Sequence, residues 1–222
     1  LKMNEAEQSK KLQRYTMAKA FQIEELREVL GLYKPVKNSE AEFIASQMLL
    51  SGQIYQNNIL AVKGELTGYD SNYEREENMK KLFSMEYKNA LAADKTPPKV
   101  LIKAGHNHSI RGRNYTSLFS LGNFLSEFAK SNEKNSFHLA VYLNNSSGDY
   151  GVISSEKDFQ ALAAAAPNDK LVIFDFRPLR KYVYAGRVNG INEEMRRIIF
   201  GFDAALMIGG TSRGTYKFLG IQ

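Results

Sequence analysis

The chain opens with long stretches in which apolar residues recur every three or four positions, and it closes with short apolar runs set between turns. In the first part, Leu12, Tyr15, Phe21, Leu26 and Leu30 mark a helix over 4–31, which Gly31 is placed to stop. After Pro35, Ser39 and Glu42 form a capping-box pattern. The helix they open carries Phe43, Ile44, Met48, Leu50 and Ile54 and runs towards Leu60 or Val62. Gly64 and Gly68 punctuate a polar linker, and Ser71 with Glu74 repeats the capping pattern. Met79, Leu82, Phe83 and Tyr87 then line one side of a helix ending near Ala93, closed by Pro97-Pro98.

Beyond Pro98 the period changes. Val100–Lys103, Phe137–Leu143, Leu171–Phe176 and Ala204–Ile208 read as strands of the buried type. Between them lie helices over 117–131, 155–166 and 191–200, and Tyr182–Tyr184 fits an edge strand. Strands alternating with helices predict an α/β fold, a helical N-terminal segment (1–98) packed on a mostly parallel sheet flanked by helices (99–222). The helical part has no strands of its own, and the first residue is Leu1. Both features suggest the C-terminal part of a longer protein, the two segments forming one structural unit.

Composition narrows the function. The chain has 222 residues, 43% of them hydrophobic and 24% charged, which is ordinary for a globular protein. No apolar run approaches the length of a membrane span. The absence of cysteine excludes disulfides, thiolate nucleophiles and cysteine metal sites, and fits an exported protein slightly better than a cytoplasmic one. The net charge of +6 is spread among acids and forms no basic run, so a nucleic-acid partner is not indicated. A small-molecule substrate or ligand remains.

The candidate chemistry gathers after the 100–103 strand, in Gly105-His106-Asn107-His108-Ser109-Ile110-Arg111-Gly112-Arg113. If the segment is extended, His106 and His108 face the same side. Two histidines alone do not make a metal site, and His138 is the one histidine left to join them. No metal and no cofactor is therefore expected. An imidazole suits general acid–base work, and His108 fits that role, whereas His106 fits a backbone hydrogen bond at the strand end. Arg111 and Arg113 suit a carboxylate or phosphate, or a developing oxyanion, although exposed loop arginines need no such role. Arg75 lies close to a predicted helix start, where a cation is unfavourable and a specific partner is expected; Glu74 and Glu77 there are explained by the helix dipole. Asp175 and Arg177, at a strand end, either pair or join the same rim. Gly209–Gly214 is a glycine-rich turn without the pattern of a nucleotide-binding loop. No Gly-x-Ser-x-Gly elbow occurs.

Arg75-Glu76-Glu77-Asn78-Met79, the Lys99–His108 strand and loop, Arg111-Gly112, Leu121-Gly122-Asn123-Phe124-Leu125 and Phe202-Asp203-Ala204 occur in that order. Their succession, over roughly residues 70 to 210, resembles the C-terminal half of the erythromycin esterase-like superfamily. That family has an Arg-Asp/Glu-x-x-Met helix start, an Ala-His-Asn-x-His type segment, a Leu-Gly helix and a Phe-Asp-Ala strand. His108 falls on the second histidine of the segment, and Gly105 stands where the family has the first. The family's Gly-Glu-x-x-His motif has no counterpart in residues 1–70. The resemblance implies metal-independent ester hydrolysis in which a His–Glu pair activates water and His108 and nearby arginines bind or polarise the substrate, with part of the site outside this chain. It assigns His108, Arg75 and Glu76 to catalysis and Arg111, Arg113, His106 and Asn107 to substrate binding. The alternative is a non-catalytic binding module for an anionic or glycan-like ligand on the same fold.

Overall fold

A computed structural model describes residues 39–144 and 170–210, together with 27, 28, 31, 162 and 164–166. The protein is a mixture of helix and strand. It divides into two compact units, one of 1–99 with 115–118, the other of 100–114 with 119–222. The helix expected over 4–31 lies outside the described residues, except that 27, 28 and 31 are helical.

The first unit is a helical hairpin. Helix α1 spans Glu40–Val62, and the Ser39 hydroxyl caps it by accepting from the Glu42 amide. Helix α2 spans Gly68–Asp94 and starts earlier than Ser71. Thr67 and Asp70 complete a reciprocal capping box: the Thr67 hydroxyl accepts from the Asp70 amide, and the Asp70 carboxylate accepts from the Thr67 amide and hydroxyl. Ser71 is thereby buried inside the first turn, donating to the Gly68 carbonyl. Asn78 bonds Gln47 and ties the two helices together. Lys95, at φ 57°, ends α2 in a left-handed cap before the Pro97-Pro98 pair.

The second unit holds one small sheet. Its strands are β1 (Leu139–Asn144), β2 (Leu171–Asp175) and β3 (Ala204–Gly209), in the order β1-β3-β2. Strand β3 is parallel to β1 and antiparallel to β2, so the sheet is mixed where a mostly parallel one was expected. Its helices are a single turn α3 (His106–Ser109), α4 (Leu121–Ser131), α5 (Arg180–Tyr184) and α6 (Glu193–Gly201). Helix α4 begins at Leu121, four residues later than expected, because Ser117 adopts φ 65° and Ser120 provides the cap.

Two expected strands are absent. Val100–Lys103 forms no ladder, and Leu101 is 97% exposed. An apolar triplet becomes a strand only when a neighbour offers its backbone, and none does so among the described residues. Tyr182–Tyr184 belongs to α5 instead. The turn follows Pro178, and Val183 alone points into the core, 3% exposed.

Among the described residues, one face of the sheet carries the core. Ala140, Ala205 and Met207 pack there with Ile110, Phe176, Val183, Met195, Ile198, Ile199 and Phe202. Leu162 and Ala166, from the segment 155–166 of which 155–161 and 163 lie outside the described residues, join the same core. On the other face Val141, Leu171 and Ile173 are 55%, 69% and 67% exposed. The apolar runs therefore mark strands correctly, but among the described residues the second face is largely exposed.

Candidate functional site

The loop 105–114 is locked by groups that reach it from three directions. Gly105 precedes the single turn α3, and the His108 and Ser109 amides return to its carbonyl. At the far end Gly112 adopts φ 80°, a conformation that suits glycine. Its amide donates to Asn123 Oδ1 at 2.9 Å. The Ser120 hydroxyl donates to the Ile110 carbonyl and also accepts from the Asn123 amide as the cap of α4. Ile110 itself is fully buried in the core. Gly122 allows this approach: a Cβ there would run into the Ser109 carbonyl group and lie 2.8 Å from the Ile110 oxygen.

Asp203 holds the loop from the opposite side. Its carboxylate accepts two bonds from Arg111, at 2.9 and 2.7 Å, one from Arg180 at 3.1 Å and one from the His138 amide at 2.9 Å. The carboxylate is 8% exposed and the Arg111 side chain 19%. Burial alone would raise its pKa. The Arg111 bonds, the His138 amide, the Arg111 charge and the Arg180 bond outweigh that and hold it at about 2. Arg180 also donates to the Ile199 and Phe202 carbonyls, so one guanidinium closes the C-terminal end of α6.

The histidines take separate roles. Because 106–109 is a helical turn rather than extended chain, His106 and His108 diverge instead of facing one side. His106 lies against the Phe202 ring, 4.7 Å between centroids, and its Nε2 shares a 2.9 Å hydrogen bond with the Tyr142 hydroxyl. Burial lowers its pKa to about 4, so the ring is neutral near pH 7. His138 is buried, with Nδ1 2.9 Å from the Ser109 carbonyl and Nε2 3.0 Å from the Ser136 hydroxyl. A carbonyl only accepts, so Nδ1 carries the proton and Nε2 accepts from Ser136. Burial lowers its pKa as well, with the Ser109 bond opposing. Among the described residues no three His, Asp or Glu side chains are grouped to hold a metal. His108 and Asn107 are part-exposed on the α3 turn.

The remaining candidates are placed as follows. Arg111 is engaged by Asp203. Arg113 is exposed, its guanidinium 4.8 Å from the centre of the Phe119 ring. Asp175 and Arg177 pair with each other through two side-chain bonds, at 2.9 and 2.8 Å, on the surface. Arg75 and Glu76 belong to α2 of the other unit. Glu76 is fully buried. Arg75 lies beyond the first turn of α2, so the dipole argument for a specific partner lapses, and it forms no ion pair among the described residues. The Gly209–Gly214 turn lies outside the described residues beyond Gly210.

Beside the loop is an open cavity of about 330 Å³, lined by Arg111, Arg113, Lys130 and Arg197 with Asn123, Ser126 and Glu127. The sequence did not single out Asp203, Arg180 or Tyr142 as site residues. Asp203 had a readable signal: it is a lone carboxylate within Phe202-Asp203-Ala204-Ala205-Leu206-Met207, and a buried charge needs a cation. Lys130 and Arg197 sit on amphipathic helices and look like any solvated helix cation. No family model matches the chain, and no curated protein or solved structure matches it.

Proposed function

We propose that the second unit is part of an erythromycin esterase-like hydrolase, with His108 as an acid–base group in the attack of activated water on a carboxylic ester. The observation that carries this is where the recurring residues meet. Gly122-Asn123 and the distant Phe202-Asp203 both fasten the one loop that bears His108, through Arg111-Gly112 and the backbone beside it. A loop secured by a buried ion pair, a capped helix and a glycine contact holds its side chains in fixed positions, as acid–base chemistry requires. In this reading Arg111 is a positioning residue, because Asp203 occupies its guanidinium. Arg113, His106 and Asn107 are assigned to substrate. The reading also carries a mostly parallel sheet for the complete fold, of which the β1–β3 pair is the parallel element described.

The test is turnover of p-nitrophenyl acetate and butyrate by the full-length protein, with chelator present. Saturable hydrolysis above the buffer rate is expected. Its absence across a wider ester panel would leave the second reading, a binding module for an anionic or glycan-like ligand, which the cation-lined cavity favours.

A further inference from the structure

The geometry points to the cavity between α4 and α6 as a binding site for a phosphate monoester, which names a ligand class for the binding reading and does not require turnover. Lys130 comes from α4, Arg197 from α6 and Arg113 from the loop, so three elements each bring a cation to one concavity. Its volume of about 330 Å³ lies at the small end of the range for small-molecule sites. Glu127 is the one acid in the lining. It lies 3.8 Å from Lys130 with both side chains at least 65% exposed, a pairing too weak to compete with a dianion.

Two neutral groups make the site more than a basic patch. Ser126 is 5% exposed, lines the cavity, and its hydroxyl makes no hydrogen bond among the described residues. A buried hydroxyl left so is costly, and a ligand oxygen would relieve it. Asn123 commits its Oδ1 to the Gly112 amide, so its orientation is fixed and its NH₂ is the group left to donate. The lining thus presents hydroxyl, amide, ammonium and guanidinium groups, and Glu127 is the one acid among them. A phosphoryl group supplies the matching set, three terminal oxygens and up to two charges. A carboxylate has fewer oxygens and half the charge.

The probes are inorganic phosphate and glycerol 3-phosphate, measured by isothermal titration calorimetry on the full chain in low salt. Saturable one-site binding is expected, tighter for the ester than for inorganic phosphate. Arg197→Gln and Ser126→Ala should each weaken it about tenfold or more while leaving the circular dichroism spectrum unchanged. Lys130→Gln should weaken it and reduce its salt dependence. Glycerol, lacking the phosphate, should not bind. Absence of saturable binding by either phosphate, or binding that none of the three substitutions alters, would overturn the inference. Ester turnover measured on the same variants separates the two proposals. Turnover preserved with phosphate binding lost supports this site as distinct from the chemistry. Phosphate binding without any ester turnover would sink only the hydrolase reading.

Discussion

Replacing Asp203 by alanine removes the acceptor for four hydrogen bonds at once, from both Arg111 nitrogens, Arg180 and the His138 amide. Losing one partner of a buried ion pair costs about 3–5 kcal/mol. Arg111 retains 19% exposure and can recover some hydration, so the lower end, about 3 kcal/mol, is the working figure. With a urea m-value of about 2–3 kcal/mol/M, the unfolding midpoint should fall by about 1 M. The double substitution Arg111→Leu with Asp203→Leu should cost less than the two singles combined, because Asp203→Leu alone leaves the Arg111 charge unpaired and the double removes it, while Arg180 loses its carboxylate in both. The pH dependence has a definite sign. The Asp203 carboxyl is held below its ordinary value, so its contribution is complete above about pH 4 and is lost as pH falls towards 2. That depression corresponds to about 2 kcal/mol. Urea unfolding followed by far-ultraviolet circular dichroism measures all of this. A midpoint shift below about 0.3 M for Asp203→Ala would refute the view that this carboxylate secures the loop.

Three further outcomes follow from the same geometry. Gly122→Ala should destabilise by about 3 kcal/mol or more and speed hydrogen exchange of amides 109–112, since its new methyl meets loop backbone rather than a movable side chain. His106 binds its proton less readily folded than unfolded, so stability should rise with pH between about 4 and 6.5; its share of the difference between pH 5 and pH 7 is about 2 kcal/mol and should be lost in His106→Gln, leaving the smaller rise of the same sign that buried His138 gives, as chemical denaturation at the two pH values would reveal. The exposed apolar positions Val141, Leu171 and Ile173 should bind the dye ANS, and Ile173→Lys, at a position 67% exposed, should dim that fluorescence with little change in the unfolding midpoint; equal fluorescence in both proteins would mean the dye binds elsewhere.

Local patterns located the elements that local forces decide. Ser39 with Glu42, the runs over 137–143, 171–176 and 204–208, and the helix stopped at Gly201 were all legible within a few residues. The errors occurred where a distant partner decides. Val100-Leu101-Ile102 carries the same local signal as Leu171-Val172-Ile173, and only the second has β3 to pair with. Tyr182–Tyr184 has strand-like composition, but the fit of Val183 into the core favours a helical turn. Thr67 and Ser71 both start capping patterns in one linker, and the upstream one forms the box. The site divides in the same way. The sequence places His106, His108, Arg111 and Arg113 in one loop, but Asp203 is 92 residues from Arg111, and that separation hid the reason Arg111 is there.

The most direct test is the effect of His108→Ala on kcat/KM for p-nitrophenyl acetate, with the urea midpoint confirming an intact fold. General acid–base participation contributes about 10²–10⁴-fold, so the account predicts a fall of at least about a hundredfold. A measurable rate that is the same in both proteins would contradict it.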